Sequence, residues 1–228
     1  MLFRPRYHGF SAAMACLGLL ASAASAAVTV FDFEDQAATF TSPPDTIRTG
    51  ALTSLSMAKN GLTLTVTRDS GRAFDIVANT GNQAQKPADW GERSLDPFFS
   101  ETPVDALVGT FNAPVSSVSI EFGDYGQDSD GFTLQVFDGP DGSGALLGTN
   151  MVPYGNSALP IFGTGYLAAA GIRSIRFTGG SPEFPNSVFY DNIQVSHEAP
   201  ADAIPEAGSM TLLPGALPML GLLRRRAR

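Results

Sequence analysis

The sequence predicts an all-β protein: a single antiparallel β-sandwich, jelly-roll-like, with an N-terminal signal peptide before it and a short C-terminal transmembrane helix after it. Three observations predict this. Between residues 27 and 195, run after run alternates apolar and polar residues with the period of a half-buried strand. No long amphipathic helical pattern interrupts those runs. Both ends of the chain are apolar segments with arginines on one side.

Residues 1–26 read as a secretory signal. Arg4 and Arg6 form its charged start, residues 11–20 its apolar core, and Ala24-Ser25-Ala26 an Ala-x-Ala site for signal peptidase, placing cleavage just before Ala27. Cys16 is the single cysteine and lies inside this segment. Ala13 stands where a lipoprotein signal carries a large aliphatic residue, which favours plain secretion over lipidation. The exported chain then has no disulfide, thiol nucleophile or cysteine metal site.

Residues 27–195 have the length of one sandwich domain. Leu62, Leu64 and Val66 alternate with threonines. Val118, Ile120 and Phe122 alternate with Ser117, Ser119 and Glu121. Phe132, Leu134 and Val136 alternate with Thr133 and Gln135, and Ile175 and Phe177 with Ser174 and Arg176. Each run is an antiparallel strand with one wet face. Turn residues such as Asp138-Gly139-Pro140-Asp141-Gly142 separate them. Eight to ten strands are expected. Residues 80–103, with Trp90, Phe98 and Phe99, read as a long ordered loop, and residues 196–203 as a linker.

The tail, residues 204–228, has three parts: Pro205-Glu206, an uncharged apolar run, and a stop of Arg224, Arg225, Arg226 and Arg228. As a helix the run spans roughly 25 Å, slightly short of a hydrocarbon core of about 30 Å. The arginines hold its C-terminal end in the cytoplasm and leave the domain outside. This layout resembles a PEP-CTERM sorting signal, with Ala207 where that family has its second proline. The resemblance implies transient insertion in the inner membrane, processing near Pro205-Glu206 by an exosortase-like transpeptidase, and display at the cell surface or in the extracellular matrix.

Charge agrees with that destination. The chain has 22 acidic and 14 basic residues; without Arg4, Arg6, Glu206 and the four C-terminal arginines, 21 acids face 8 bases. An acidic domain repels nucleic acid and anionic headgroups and suits divalent cations or neutral partners.

Residues 122–138, the turn at Leu147-Gly148, and residues 189–195 resemble jelly-roll domains carried by PEP-CTERM proteins, and galactose-binding-like and carbohydrate-binding sandwiches; residues 31–35 are similar too. The resemblance implies that the first and last strands lie side by side, with a structural calcium ion near them. Asp191 shares alternation parity with Phe189, Ile193 and Val195, so it is expected at the core or its rim. There it needs hydrogen bonds, an arginine or a cation. Asp32, Glu34 and Asp35 on the first strand are its candidate companions, and spacing does not choose among them. Hard oxygen ligands without cysteine or histidine point to Ca2+; the alternative is a carboxylate capping backbone N–H groups in a bulge.

Asp124, Asp128 and Asp130 share the end of a calcium-loop pattern but lack its downstream glutamate, so a hairpin turn is the expectation. Trp90, Phe98 and Phe99 read as a loop packed over one end of the sandwich, with a sugar-stacking platform as the alternative. The two histidines are His8, in the signal, and His197, in the linker region, so neither a serine triad nor a histidine-rich zinc site is supported. The expectation is a non-enzymatic secreted protein with a structural or adhesive role in exopolysaccharide or biofilm. A carbohydrate-binding module is the main alternative, and a small glycoside-active enzyme a weaker one.

Overall fold

A computed structural model describes residues 26–42, 50–79, 87, 89–97, 104–124, 130–153, 161–182 and 184–198. The described residues are all β, with no helix. Eleven strands follow in order: β1 (Ala26–Phe31), β2 (Phe40–Ser42), β3 (Leu55–Lys59), β4 (Leu62–Arg68), β5 (Asp75–Asn79), β6 (Arg93–Asp96), β7 (Leu107–Asp124), β8 (Gly131–Phe137), β9 (Leu146–Pro153), β10 (Ile161–Gly180) and β11 (Phe189–Glu198). All pairings are antiparallel except β2 with β5.

These strands form one hydrogen-bonded sheet that doubles over on itself. The fold line runs through the two longest strands, β7 and β10. The first part of β7 pairs with β4 and with residues 174–177 of β10; its second part pairs with β11 and with residues 161–168 of β10. The pair therefore leaves one layer and enters the other. Register shifts between Ala168, Ile172 and Ser174 mark the corner. One layer is β2-β5-β6-β11-β7-β10, with β1 also along β11; the other is β3-β4-β7-β10-β8-β9.

The alternating runs become the core where the layers meet. Phe122 of the first layer stacks on Phe132 of the second, with centroids 4.2 Å apart. Tyr190 meets Phe177 edge-on at 4.9 Å. This aromatic layer needs two of the glycines of β10, Gly163 and Gly165. A Cβ on Gly163 would lie 2.7 Å from Phe122, and one on Gly165 would lie 2.1 Å from Phe132. The β3–β4 hairpin turns on Asn60 and Gly61, both at positive φ, as a two-residue turn matched to strand twist requires. Near the other end, Arg68 on β4 is buried against Asp105, Nε to Oδ2 at 2.9 Å; Asp105 also accepts the Ser70 N–H at 3.1 Å.

Three local expectations change. Leu147-Gly148 is not a turn but part of β9. Residues 93–96, expected inside a long loop, form β6 between β5 and β11. β11 continues to Glu198, past the expected domain end at Val195, and His197 within it is buried with Nε2 2.9 Å from Thr29 Oγ1. The expected adjacency of first and last strands is present: β1 pairs with β11 from Ala26↔Glu198 to Phe31↔Ile193.

Candidate functional site: the bulge in the last strand

The site is built by a slip in register. Tyr190 lies opposite Phe122 and Asp191 opposite Glu121, but Gln194 is opposite Ser119. Asn192 and Ile193 thus share one position on β7, a β-bulge. Asn192 takes the left-handed conformation, φ 44, which asparagine tolerates better than most residues. The bulge resets the alternation. Tyr190, Ile193 and Val195 enter the main core, whereas Phe189 joins a small second cluster with Val77, Trp90 and the partly buried Phe162. Asp191 therefore belongs with Phe189 on the outer face of the first layer, not with Ile193 and Val195 as simple alternation implied.

Its surroundings are nevertheless dry. Asp191 is 0% exposed. Trp90 is 2% exposed and meets Phe162 edge-on at 4.9 Å, and the Phe162 ring occupies the space a Cβ on Gly123 would need. Asp191 Oδ1 accepts the Asn192 N–H at 2.7 Å; Oδ2 is buried and has no hydrogen-bond partner among the described residues. Burial pushes the Asp191 carboxyl up to about 8. The Asn192 N–H opposes that rise, and the charges of Glu34, Glu121 and Asp32 add to it. Glu121 is raised as well, mainly by burial and also by Asp89, against hydrogen bonds from Asn192 and Trp90. Asn192 Nδ2 donates to Glu121 Oε2 at 2.8 Å and to the Asp89 carbonyl at 3.0 Å, tying the Trp90 segment to the sheet.

The predicted residues separate under this geometry. Asp191 and Glu34 come together. Glu34 lies over Gly91, where a Cβ would collide with its carboxylate, and accepts the Arg93 N–H at 2.8 Å. Asp32 is near enough to influence Asp191, but Lys59 holds it at 2.7 Å. Asp35 is exposed, with no side-chain partner among the described residues. Trp90 has its ring packed inside the second cluster. Asp130 is buried and accepts from Ser187 Oγ at 3.1 Å. Phe98, Phe99, Asp128, Pro205, Glu206, Arg224, Arg225 and Arg226 lie outside the described residues. Sequence reasoning passed over Glu121 and Asn192. Glu121 read as an ordinary wet-face residue, and only the pairing with Asp191 reveals its place. Among the described residues, no group of three or more His, Cys, Asp or Glu side chains is already arranged to hold a metal ion.

No family model and no curated protein matches the chain. Among solved structures it is similar to the K2 cleaved adhesin domain of Lys-gingipain, at 12% identity over 75% of this chain and 100% of that one, TM-score 0.45. It is also similar to the catalytic domain of a GH87 α-1,3-glucanase in complex with nigerose, at 14% identity over 63% and 30%, TM-score 0.30. Both likenesses are too distant to bear on function.

Proposed function

We propose that this is a secreted bacterial cell-surface or extracellular-matrix protein: a jelly-roll-like domain exported by its signal peptide, sorted by an exosortase-like transpeptidase, and structural or adhesive within exopolysaccharide or biofilm. The observation that carries the proposal is the three-part tail, Pro205-Glu206, apolar run and arginine cluster, on an exported acidic all-β domain. The role requires no catalysis.

Calcium belongs to the same proposal. An unpartnered buried carboxylate oxygen among like charges fits a divalent cation better than any other partner on offer, since its neighbours Glu34, Glu121 and Asp32 would each repel a second anion. Asp191 and Glu34 would hold the ion, with Glu121 beside them; Asp32 would have to leave Lys59 first. Bound there, the ion would neutralise the cluster and fix the Trp90 segment against β11.

Intact mass of the protein extracted from the cell surface tests the sorting. A mass ending near residue 205 is expected. A mass that retains residues 212–228 would make it a membrane-anchored protein and overturn the processing.

A further inference from the structure

We infer that the outer face of the first layer, beside the bulge, is a binding site for a neutral polysaccharide chain, with Tyr166 as its stacking platform. This rests on the adhesive reading only in placing the domain among extracellular polysaccharides.

Tyr166 lies within β10, opposite Ser119, which is in turn opposite Gln194, itself paired with Val30 of β1. Flanking positions Gly165, Val118 and Ile120 are buried, so this rung faces away from the core. Tyr166 is 56% exposed. The next rung carries Thr164 and Glu121, and the rung after it Phe162 under Trp90. Four residues of strand separate Tyr166 from Phe162, about 13 Å. The surface is therefore a polar floor with an exposed ring, bounded at one end by the Trp90–Phe162 cluster.

The chemistry of that floor selects its occupant. Ser119, Thr164 and Gln194 offer hydroxyl and amide groups that both donate and accept. An aromatic face matches the apolar face of a pyranose ring. These rungs carry no basic side chain, Glu121 is among them, and the chain carries a net charge of −8, so an anionic polymer is repelled. At Ser119, β7 is paired on both sides, to Tyr166 and Gln194, so a partner lying across this floor meets side chains and not a main-chain ladder. What remains is recognition by side chains of a neutral, hydroxyl-rich polymer.

The test is affinity electrophoresis of the full chain in mild detergent, through gels containing a soluble β-1,3-glucan, dextran or galactomannan, with alginate as the anionic comparison. Retardation by at least one neutral polymer is expected. Tyr166→Ala should weaken it by at least about tenfold, the scale of losing one aromatic anchor. Met151→Ala, which removes an exposed apolar side chain on β9 (72% exposed), should leave it unchanged. Matching melting curves show that the variants fold. No retardation by any neutral polymer, retardation by alginate alone, or equal retardation of Tyr166→Ala overturns the site. The outcomes stay separable: failure here with a mass ending near residue 205 leaves the sorted-protein reading standing, and binding with Arg228 retained does the reverse.

Discussion

Moving the protein from chelator into about 10 mM calcium should raise its melting temperature, and Asp191→Asn should remove that rise. The magnitude follows from the carboxylate at the bulge. Without metal, folding holds the Asp191 carboxyl near 8, against about 3.9 for an unperturbed aspartate. The folded state then binds a proton that the unfolded chain releases, so stability is full below about pH 4 and declines as pH rises toward 8. Between pH 4 and 7 this amounts to at most about 4 kcal/mol. A calcium ion takes the proton's place, so its hold strengthens as pH rises through the same range. With a Kd of about 0.1 mM, in the range of extracellular calcium modules, 10 mM is about 100 times Kd and adds about 2.7 kcal/mol. For a domain of this size that is a rise of about 5–11 °C. Asparagine keeps the acceptor for the Asn192 N–H and removes the charge. In chelator, Asp191→Asn should therefore lose less stability than the parent between pH 4 and 8. Differential scanning calorimetry reads both effects. Identical melting of the parent with and without calcium, or an equal calcium rise in the variant, refutes the reasoning.

Other outcomes follow from the packing. Asp105→Ala leaves the Arg68 guanidinium buried without its carboxylate and should cost about 3–5 kcal/mol, read as a lower denaturation midpoint in urea. Gly165→Ala drives a methyl into the Phe132 ring and should destabilise by about 1–3 kcal/mol or more. Gly71→Ala meets nothing within 4 Å but forces alanine into φ +72, so its cost should stay near 1–2 kcal/mol. A Gly165→Ala midpoint equal to that of the parent would refute the account of the stacked aromatic layer.

The strands were legible where alternation was unbroken. β4, the end of β7, β8 and the start of β11 stand where Leu62, Val118, Phe132 and Phe189 begin their runs. Alternation could not show that β7 and β10 cross from one layer to the other. The corner in β10 falls in Ala168-Ala169-Ala170-Gly171-Ile172, where small residues carry little contrast between faces and the register shifts. β9 was hidden for a related reason: Leu146-Leu147-Gly148-Thr149 has no period-two alternation and no fully buried residue, and the strand is made by pairing with β8. Asp191 shows the same limit at the site. Its need for a partner could be read from residue type, but its face could not. A bulge changes parity by one, and nothing in Tyr190-Asp191-Asn192-Ile193 marks the slip until β7 lies alongside.

The pairing of β1 with β11 also has a mechanical meaning. Ala26 faces Glu198, so the chain enters and leaves the domain at the same end. From there β11 runs back seven residues to Asp191, about 23 Å away. Were the proposed tail to anchor the chain beyond Glu198, the bulge and the Trp90 segment would lie toward the far end of β11. Tension between that end and such an anchor would run along β11, in line with its neighbours β1 and β7. The ladders on both sides are then loaded in shear, and several hydrogen bonds must yield together before the strand can slide.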